Sequence, residues 1–282
     1  MLFMAPTVVG LVVFRLGPIL SAIGLSFTEW NVISPPRWIG LANYVELLNS
    51  DAFWAVGRNT VLFSVTYVLG VTSVGLALAL LVNKKLRGIS FFRTTFYLPV
   101  ITSTVAVGVI WSWILSPRFG LVSQFLTRIG LGTGPGFLTD ERLVLFTVAL
   151  VYVWKMSGYQ MTLFLGGLQS ISPEYYEAAR IDGATGGQMF RHVTLPLLSP
   201  TTFFVVVVSL IQSLQTFDVT YSLTGGGPNG ASSTLVYEIY TNAFIHFRMG
   251  LACAMAFVLL LVVGAITYLN FKFRDRWVHT SE

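Results

Sequence analysis

The sequence contains few charged residues and a single cysteine. Only 10% of its 282 residues are Asp, Glu, Lys or Arg, whereas 54% are hydrophobic, and the mean hydropathy is +0.73. Soluble domains carry roughly a quarter of charged residues, so this composition argues against a soluble fold. The lone Cys253 excludes an internal disulfide, and its neighbours Gly250, Ala252 and Ala254 indicate a small packing residue.

The sequence also lacks the motifs that bind nucleotides or metals or that carry out hydrolysis. Gly70 and Gly75 have the spacing of a phosphate-binding loop, but the lysine that such a loop requires is missing. There is no HExxH, paired-cysteine or GxSxG motif, and His192, His246 and His279 are isolated. We therefore predict no catalytic residue, no metal site, no cofactor and no enzymatic activity in this chain.

Long apolar segments account for most of the chain. About 20 apolar residues in a helix cross the roughly 30 Å hydrocarbon core of a bilayer. We therefore predict an all-α polytopic membrane protein, with one transmembrane domain over residues 1–282. Its six transmembrane helices are predicted at about 2–27, 59–82, 95–115, 143–168, 200–223 and 251–271.

The first apolar segment is predicted to be a retained span rather than a signal peptide. It has no basic leader and no small-residue cleavage pattern, and Arg15 interrupts its apolar run. A cation that faces lipid is costly. We therefore expect Arg15 to face the protein interior or a partner.

Two basic segments determine the predicted orientation. The net charge of +5 is spread over short segments rather than gathered on one face, which argues against a nucleic-acid partner. Cytoplasmic loops are enriched in Lys and Arg, so these segments predict both termini in the cytoplasm and external loops at about 28–58 and 118–142. The basic residues are Lys84, Lys85, Arg87, Arg93, Lys272, Arg274 and Arg276.

The polar interval between the fourth and fifth spans is predicted to be cytoplasmic and folded. Ser172 and Pro173 are a cap and first-position pair that predicts a helix start, and Gly183 predicts its end. A second short helix is predicted over about 187–193, stopped by Pro196. The interval therefore predicts a compact helix-turn-helix knob.

This knob resembles the EAA loop of ATP-binding-cassette importer permeases. Val193 stands where that pattern usually has isoleucine, and the residues that match it are Glu177, Ala178, Ala179, Gly183, Leu195 and Pro196. Other motifs resemble the sugar-importer branch, of the maltose and glycerol-3-phosphate permease type. They are WIGLANY at 38–44, RT..YLP at 93–99 and TGGGP at 224–228.

The resemblance implies a permease subunit of a binding-protein-dependent importer in a prokaryotic cell inner membrane. The partners that it implies are a second, different permease, two ATPase subunits that hydrolyse ATP, an extracytoplasmic solute-binding protein and the lipid bilayer. Residues 169–199 would be the coupling loop, whose helix enters a cleft of the ATPase. The coupling residues implied are Glu177, Ala178, Ala179, Asp182, Gly183, Leu195 and Pro196.

An amphipathic linker on the membrane surface is the alternative interpretation of this loop. Such a linker binds anionic lipid through clustered Lys and Arg. The acidic residues of the loop argue against it.

One face of the predicted fifth span is polar. Ser209, Gln212, Ser213, Thr216 and Thr220 recur at three- and four-residue steps in an otherwise apolar helix. They would either hydrogen-bond to neighbouring helices or line a path for a sugar. The resemblance favours the path, because positions that match Ser209, Ser213 and Thr216 contact the sugar in the maltose-type permease. Two of those positions hold amides there, so the substrate can differ.

The predicted fourth span carries a second polar face, with Tyr152, Lys155, Met156 and Tyr159 at helical steps. The resemblance aligns Tyr152, Met156 and Tyr159 with sugar-contacting positions, and tyrosine can stack on a sugar ring and hydrogen-bond to it. Lys155 would either meet an anionic substrate or form an internal pair, with Asp218 or with a carboxylate at an interface. The presence of only one cation favours the internal pair.

An ion-coupled secondary transporter is the alternative from another class. It would require carboxylates deep in the spans or matching broken helices in two halves. Only Asp218, near an external end, approaches this requirement. The sequence therefore favours an importer permease for a sugar or oligosaccharide, with glycerol 3-phosphate or a related polyol phosphate as the alternative substrate.

Overall fold

The structure is a computed structural model that describes residues 5–84, 87–132 and 134–273. In this part of the chain the backbone is almost entirely helical, with one pair of short strands. The predicted all-α class is confirmed. Four residues named above lie outside the described residues: Lys85, Arg274, Arg276 and His279.

The N-terminal part joins an apolar helical segment to a short hairpin. The contacts of Asn43 tie the hairpin to the preceding helix, because its amide donates to the carbonyls of Ser26 and Thr28 at 2.8 and 2.9 Å. The elements are α1 (Ala5–Leu11), a π-helical turn (Val12–Leu16), α2 (Gly17–Leu25), β1 (Thr28–Glu29), β2 (Arg37–Trp38) and α3 (Ala42–Leu48). The strands pair antiparallel.

The second predicted span belongs to a longer helix, α4 (Asp51–Val82). It begins at Asp51 rather than at about residue 59 because the Ser50 hydroxyl accepts a hydrogen bond from a backbone amide of the first turn at 3.3 Å. The last part of the predicted external loop 28–58 is therefore the start of this helix.

The predicted third span, 95–115, is bent. Helices α5 (Ile89–Ile101) and α6 (Thr104–Ile114) meet at an angle of 96° across the residues between them. Thr102 is extended, with φ −74° and ψ 143°. Pro99 within the last turn of α5 has no amide to donate, which weakens that end of the helix.

Helices α7 (Leu121–Arg128) and α8 (Val144–Ser170) come next, and α8 packs along α4 at the centre of the protein. Small residues allow this close approach. A Cβ on Gly75 would lie 2.6 Å from that of Gln160. Gly158 plays the same role against α5, where a Cβ would lie 2.2 Å from the Phe96 carbonyl oxygen.

The polar interval after α8 contains a helix and a longer second helical stretch. The prediction that Pro196 stops the second helix is wrong. A π-helical turn ends just before Pro196, which then occupies a first-turn position where a missing amide is tolerated. The elements are α9 (Pro173–Ile181), α10 (Gly186–Met189), the π-helical turn (Phe190–Thr194) and α11 (Leu195–Leu197).

The predicted fifth span, 200–223, is two helices. After a bend of 64°, the chain enters α12 (Ser199–Leu214), and α13 (Asp218–Leu223) follows a short break. The remaining elements are α14 (Leu235–Tyr240), a π-helical turn (Thr241–Ile245) and α15 (Met249–Lys272).

Several helices are suited to a bilayer by length and composition. In the described part of the chain, 3 helical segments meet this test alone, and up to 5 do so if each bent pair is one span. The three are Pro6–Leu25, Asp51–Val82 and Met249–Lys272. Helix α8 has 27 residues, but Lys155 and Gln160 interrupt its apolar sequence. The count of six spans stays a prediction.

Candidate functional site

The start and end of α9 follow the local sequence. The Ser172 hydroxyl accepts from the Glu174 amide at 3.4 Å, and Pro173 occupies the first turn. At the other end, Gly183 has φ +77°. The chain closes over this end because the Ala184 amide donates to the Ala179 carbonyl at 2.9 Å. The predicted start and stop of this helix are confirmed.

Helix α9 projects from the rest of the protein, because every one of its residues is at least partly exposed. Ile181 is 86% exposed, which is unusual for a large aliphatic side chain outside the lipid-facing spans. Among the resemblance-derived coupling residues, Glu177, Ala178, Asp182, Gly183 and Leu195 are exposed, and Ala179 and Pro196 are half-buried. The surface of α9 thus combines small, apolar and acidic side chains.

One side-chain contact joins α9 to the helical stretch behind it. The Tyr176 hydroxyl lies 3.1 Å from that of Thr194, which is buried in the π-helical turn. The next helix is fixed by a capping box, in which the Thr185 amide donates to the Gln188 side chain at 2.7 Å. The knob is therefore attached at its base and free at its tip.

The polar face of α12, which continues past the end of that helix through Thr216 to Thr220 of α13, is directed into the chain. Ser209, Ser213, Thr216 and Thr220 are buried, and Gln212 is half-buried. The Ser213 hydroxyl donates to the Leu210 carbonyl, and the Thr216 hydroxyl, just beyond the end of α12, donates to the Gln212 carbonyl, both at 2.8 Å. Ser209 instead accepts from Gln160 of α8 at 3.0 Å. In the isolated chain, Ser209 thus forms a hydrogen bond between helices, as expected of a polar packing contact.

Two residues that the sequence interpretation missed complete this polar cluster. Tyr67 of α4 donates to the side chain of Gln212 at 3.3 Å, and Gln160 holds Ser209. The carbonyl oxygen of the Gln160 side chain is buried and has no hydrogen-bond partner in the described structure. Each is a polar side chain within an otherwise apolar span, Tyr67 in the second and Gln160 in the fourth. That is the signal by which the sequence could have identified them.

The side chains of α8 divide between the cluster and the surface. Tyr152, Met156 and Tyr159 are half-buried. Tyr152 packs against Tyr67, with ring centroids 4.7 Å apart. Tyrosines on two helices thus stand beside the α12 polar face, and Tyr152, Met156 and Tyr159 remain partly accessible.

Lys155 is only 4% exposed and points towards the bend between α5 and α6. Its ammonium group donates to the carbonyls of Pro99 and Val100 at 3.4 and 3.3 Å. These carbonyls lie in the last turn of α5, where intrahelical donors are missing and the helix dipole favours a cation. Among the described residues, no salt bridge joins Lys155 to Asp218, and the direct partners of Lys155 within this chain are the two carbonyls.

Comparison with known proteins gives one family and close relatives. Residues 71–277 match a family described as the inner membrane component of binding-protein-dependent transport systems. The chain is 35% identical over 270 residues to a probable starch degradation products transport system permease of Thermoanaerobacterium thermosulfurigenes, covering 95% of this chain and 91% of the relative. It is 32% identical over 280 residues to an sn-glycerol-3-phosphate transport system permease of Agrobacterium fabrum, covering 99% and 95%.

Among solved structures, the chain is similar to a subunit of a bacterial alginate ABC transporter. That crystal structure contains the transporter in complex with an alginate pentasaccharide-bound periplasmic protein. The identity is 26% and the TM-score is 0.87, with 99% of this chain and 95% of the other chain covered.

Proposed function

The chain belongs to the family of inner membrane components of binding-protein-dependent transport systems, and from this premise we propose its role in transport. It forms, with a second permease, the membrane path for a sugar or oligosaccharide. An extracytoplasmic binding protein delivers the substrate, and a separate ATPase supplies the energy. Relatives named for starch degradation products and a solved alginate importer support this substrate class.

The proposed orientation places both termini and α9 in the cytoplasm. Lys84, Arg87 and Arg93 lie between α4 and the bend of α5 and α6, and Lys272 ends α15. Basic residues at these helix ends favour the cytoplasmic side. ATP hydrolysis is assigned to the partner ATPase.

The projection of α9 is the observation that carries the proposal. A short helix fixed at its base, with exposed Ile181 and Glu177, has a shape and chemistry suited to insertion into a cleft of a partner protein. We assign coupling to the ATPase to this helix and to the turn at Gly183. We include Leu195 and Pro196, in the helical stretch that follows, in the same coupling element.

The proposed substrate path runs beside α8 and α12. Tyr152, Met156, Tyr159 and Gln212 are partly accessible and would contact the sugar. Ser209, Ser213 and Thr216 are buried and would act by holding the Gln160 side chain and the Leu210 and Gln212 carbonyls in place, as their hydrogen bonds within the chain suggest.

The position of Lys155 bears on the alternative substrate, glycerol 3-phosphate. A buried ammonium group that already serves two carbonyls is poorly placed to receive a phosphate ester. The resemblance to a glycerol-3-phosphate permease keeps this substrate as the second candidate. We therefore favour a sugar and assign Lys155 a structural role at the α5 bend.

The test of the proposed function is uptake and ATPase activity of the complete complex with Glu177→Lys and Gly183→Val. We expect either loss of the co-purified ATPase or loss of uptake, while the permease still inserts and folds. Asp51→Lys is the matched control, since it makes the same kind of charge change at the proposed outer end of α4. Normal uptake and normal ATPase binding in both α9 variants would contradict the proposal and favour an ion-coupled transporter.

A further inference from the structure

Arg15 lies at the midpoint of the first membrane span. The span is Pro6–Leu25, and Arg15 belongs to the π-helical turn Val12–Leu16 inside it. At about 1.5 Å per residue, roughly 14 Å of helix separates Arg15 from either end. This is about half of the roughly 30 Å hydrocarbon core. The guanidinium group therefore lies at a depth where a cation is most costly.

The described part of this chain does not compensate the charge. The side chain of Arg15 is exposed, and no hydrogen bond or ion pair joins it to another residue of the described chain. None of the apolar window of this span is buried against the rest of the chain, in contrast to α4 and α15. The sequence-based alternative that Arg15 faces the protein interior is therefore wrong.

Lipid headgroups are a poor counter-ion for this residue. Snorkelling allows arginine near a helix end to reach the interface, because its stem runs along the apolar surface. From the midpoint, the three methylene groups of the stem are too short to cover the distance to either headgroup layer. A cation at this depth pairs with an acidic side chain or with free backbone carbonyls, or it faces water, and among these only a carboxylate embedded in the membrane neutralises the charge.

That carboxylate does not come from a second copy of this chain. The six predicted spans contain a single acidic residue, Asp218. It lies five residues from the outer end of its predicted span, about 7 Å deep, and so at a different level from Arg15. An acidic partner of Arg15 at mid-depth therefore belongs to a different protein.

We propose that the first span is an interaction surface for a different second permease, and that Arg15 pairs there with an Asp or Glu at the middle of a span of that partner. The inference rests on the proposed function, which supplies the second permease. The pair would determine which partner is accepted, because an uncompensated charge at mid-depth penalises any partner that lacks the acid.

The experiment uses the complete complex with both permeases and the ATPase. The photo-crosslinking residue p-benzoylphenylalanine replaces Leu11, which lies one helical turn before Arg15 on the same side, in a chain that retains Arg15. Val9, which is also exposed but lies on another side of the helix, is the matched control position. Mass spectrometry identifies the peptide that is captured. We expect a span of the second permease that contains an acid within one turn of the crosslinked residue.

Charge exchange then tests the pair itself. Arg15→Glu is expected to lower the amount of co-purified second permease about tenfold or more, which corresponds to roughly 1.4 kcal/mol. Arg15→Lys should retain it. Changing the captured acid to Arg should restore assembly with Arg15→Glu.

Failure of the pair and failure of the function give different results. Capture of lipid only, capture of a span without an acid, absence of a crosslink at Leu11, or a charge exchange that does not restore assembly would each overturn the Arg15 pair. If the unmodified chain co-purifies with no second permease at all, the proposed function itself is wrong.

Discussion

Substitutions of Gly183 should impair transport through the backbone of the turn after α9, and not through the size of the new side chain. Gly183 has φ +77°, and a Cβ added there would meet no atom within 4 Å. Space in this chain is therefore not the constraint. A residue with a Cβ in the left-handed region costs about 1 kcal/mol, asparagine costs less, and a β-branched residue costs more.

These costs translate into an order of activity. About 1 kcal/mol lowers the equilibrium ratio of the native turn to other conformations roughly fivefold, since roughly 1.4 kcal/mol corresponds to a factor of ten. We therefore expect uptake in the order glycine, then Gly183→Asn, then Gly183→Ala, then Gly183→Val. The assay is uptake of radiolabelled sugar together with ATP hydrolysis, in proteoliposomes that contain the complete complex.

The matched control is Gly186→Ala, three residues further along. Gly186 has no positive φ, and its added Cβ would also meet nothing within 4 Å, so uptake should be unchanged. The order of Asn and Ala decides the question, because asparagine is larger than alanine but tolerates this φ better. If Gly183→Asn transports less than Gly183→Ala, the site is limited by contact with the ATPase and the backbone argument is refuted.

Three other changes test the contacts described above. Lys155→Met removes the donor for the Pro99 and Val100 carbonyls and should destabilise the protein by about 1–3 kcal/mol in a thermal melt. Uptake of a neutral sugar should largely persist. Selective loss of uptake of a phosphate ester would instead make Lys155 a substrate contact. Gly75→Ala should destabilise the protein by about 1–3 kcal/mol because the new Cβ would overlap Gln160. The control is Gly57→Ala on the same helix, where a Cβ meets nothing within 4 Å. Equal melting temperatures of the two variants would contradict the close packing of α4 and α8. Tyr176→Phe removes the hydroxyl contact with Thr194 and should lower the free energy of unfolding by about 1 kcal/mol. We expect ATPase binding to be retained and uptake per ATP hydrolysed to fall. An unchanged ratio of uptake to hydrolysis would show that this contact does not transmit motion.

The features that could be predicted from the sequence are those that depend on neighbouring residues. Ser172, Pro173 and Gly183 determine where α9 begins and ends through groups only a few residues apart, so their pattern was sufficient. The apolar character of the spans likewise follows from composition. These predictions needed no knowledge of which helices meet.

The features that escaped prediction depend on contacts distant in sequence. The bend after α5 has no glycine or proline at its two residues, Thr102 and Ser103. It is supported from α8, where Gly158 admits the α5 backbone and Lys155 satisfies the freed carbonyls. The sequence showed a cation in a span and suggested a carboxylate as its partner. It could not show that broken backbone would provide the acceptors instead.

If α9 is the coupling helix, its short connection to α8 makes α8 a lever. Only Ile171 and Ser172 separate the two helices, so displacement of α9 must be passed to the end of α8. Gly158, in contact with α5, lies about 18 Å from Ser170 and about 21 Å from Val144 at 1.5 Å per residue. If α8 tilts as a rigid rod about that contact, its two arms are nearly equal. A shift of a few ångströms on the ATPase side would then appear at the opposite end with similar size and opposite direction, and spin labels at the two ends would report it.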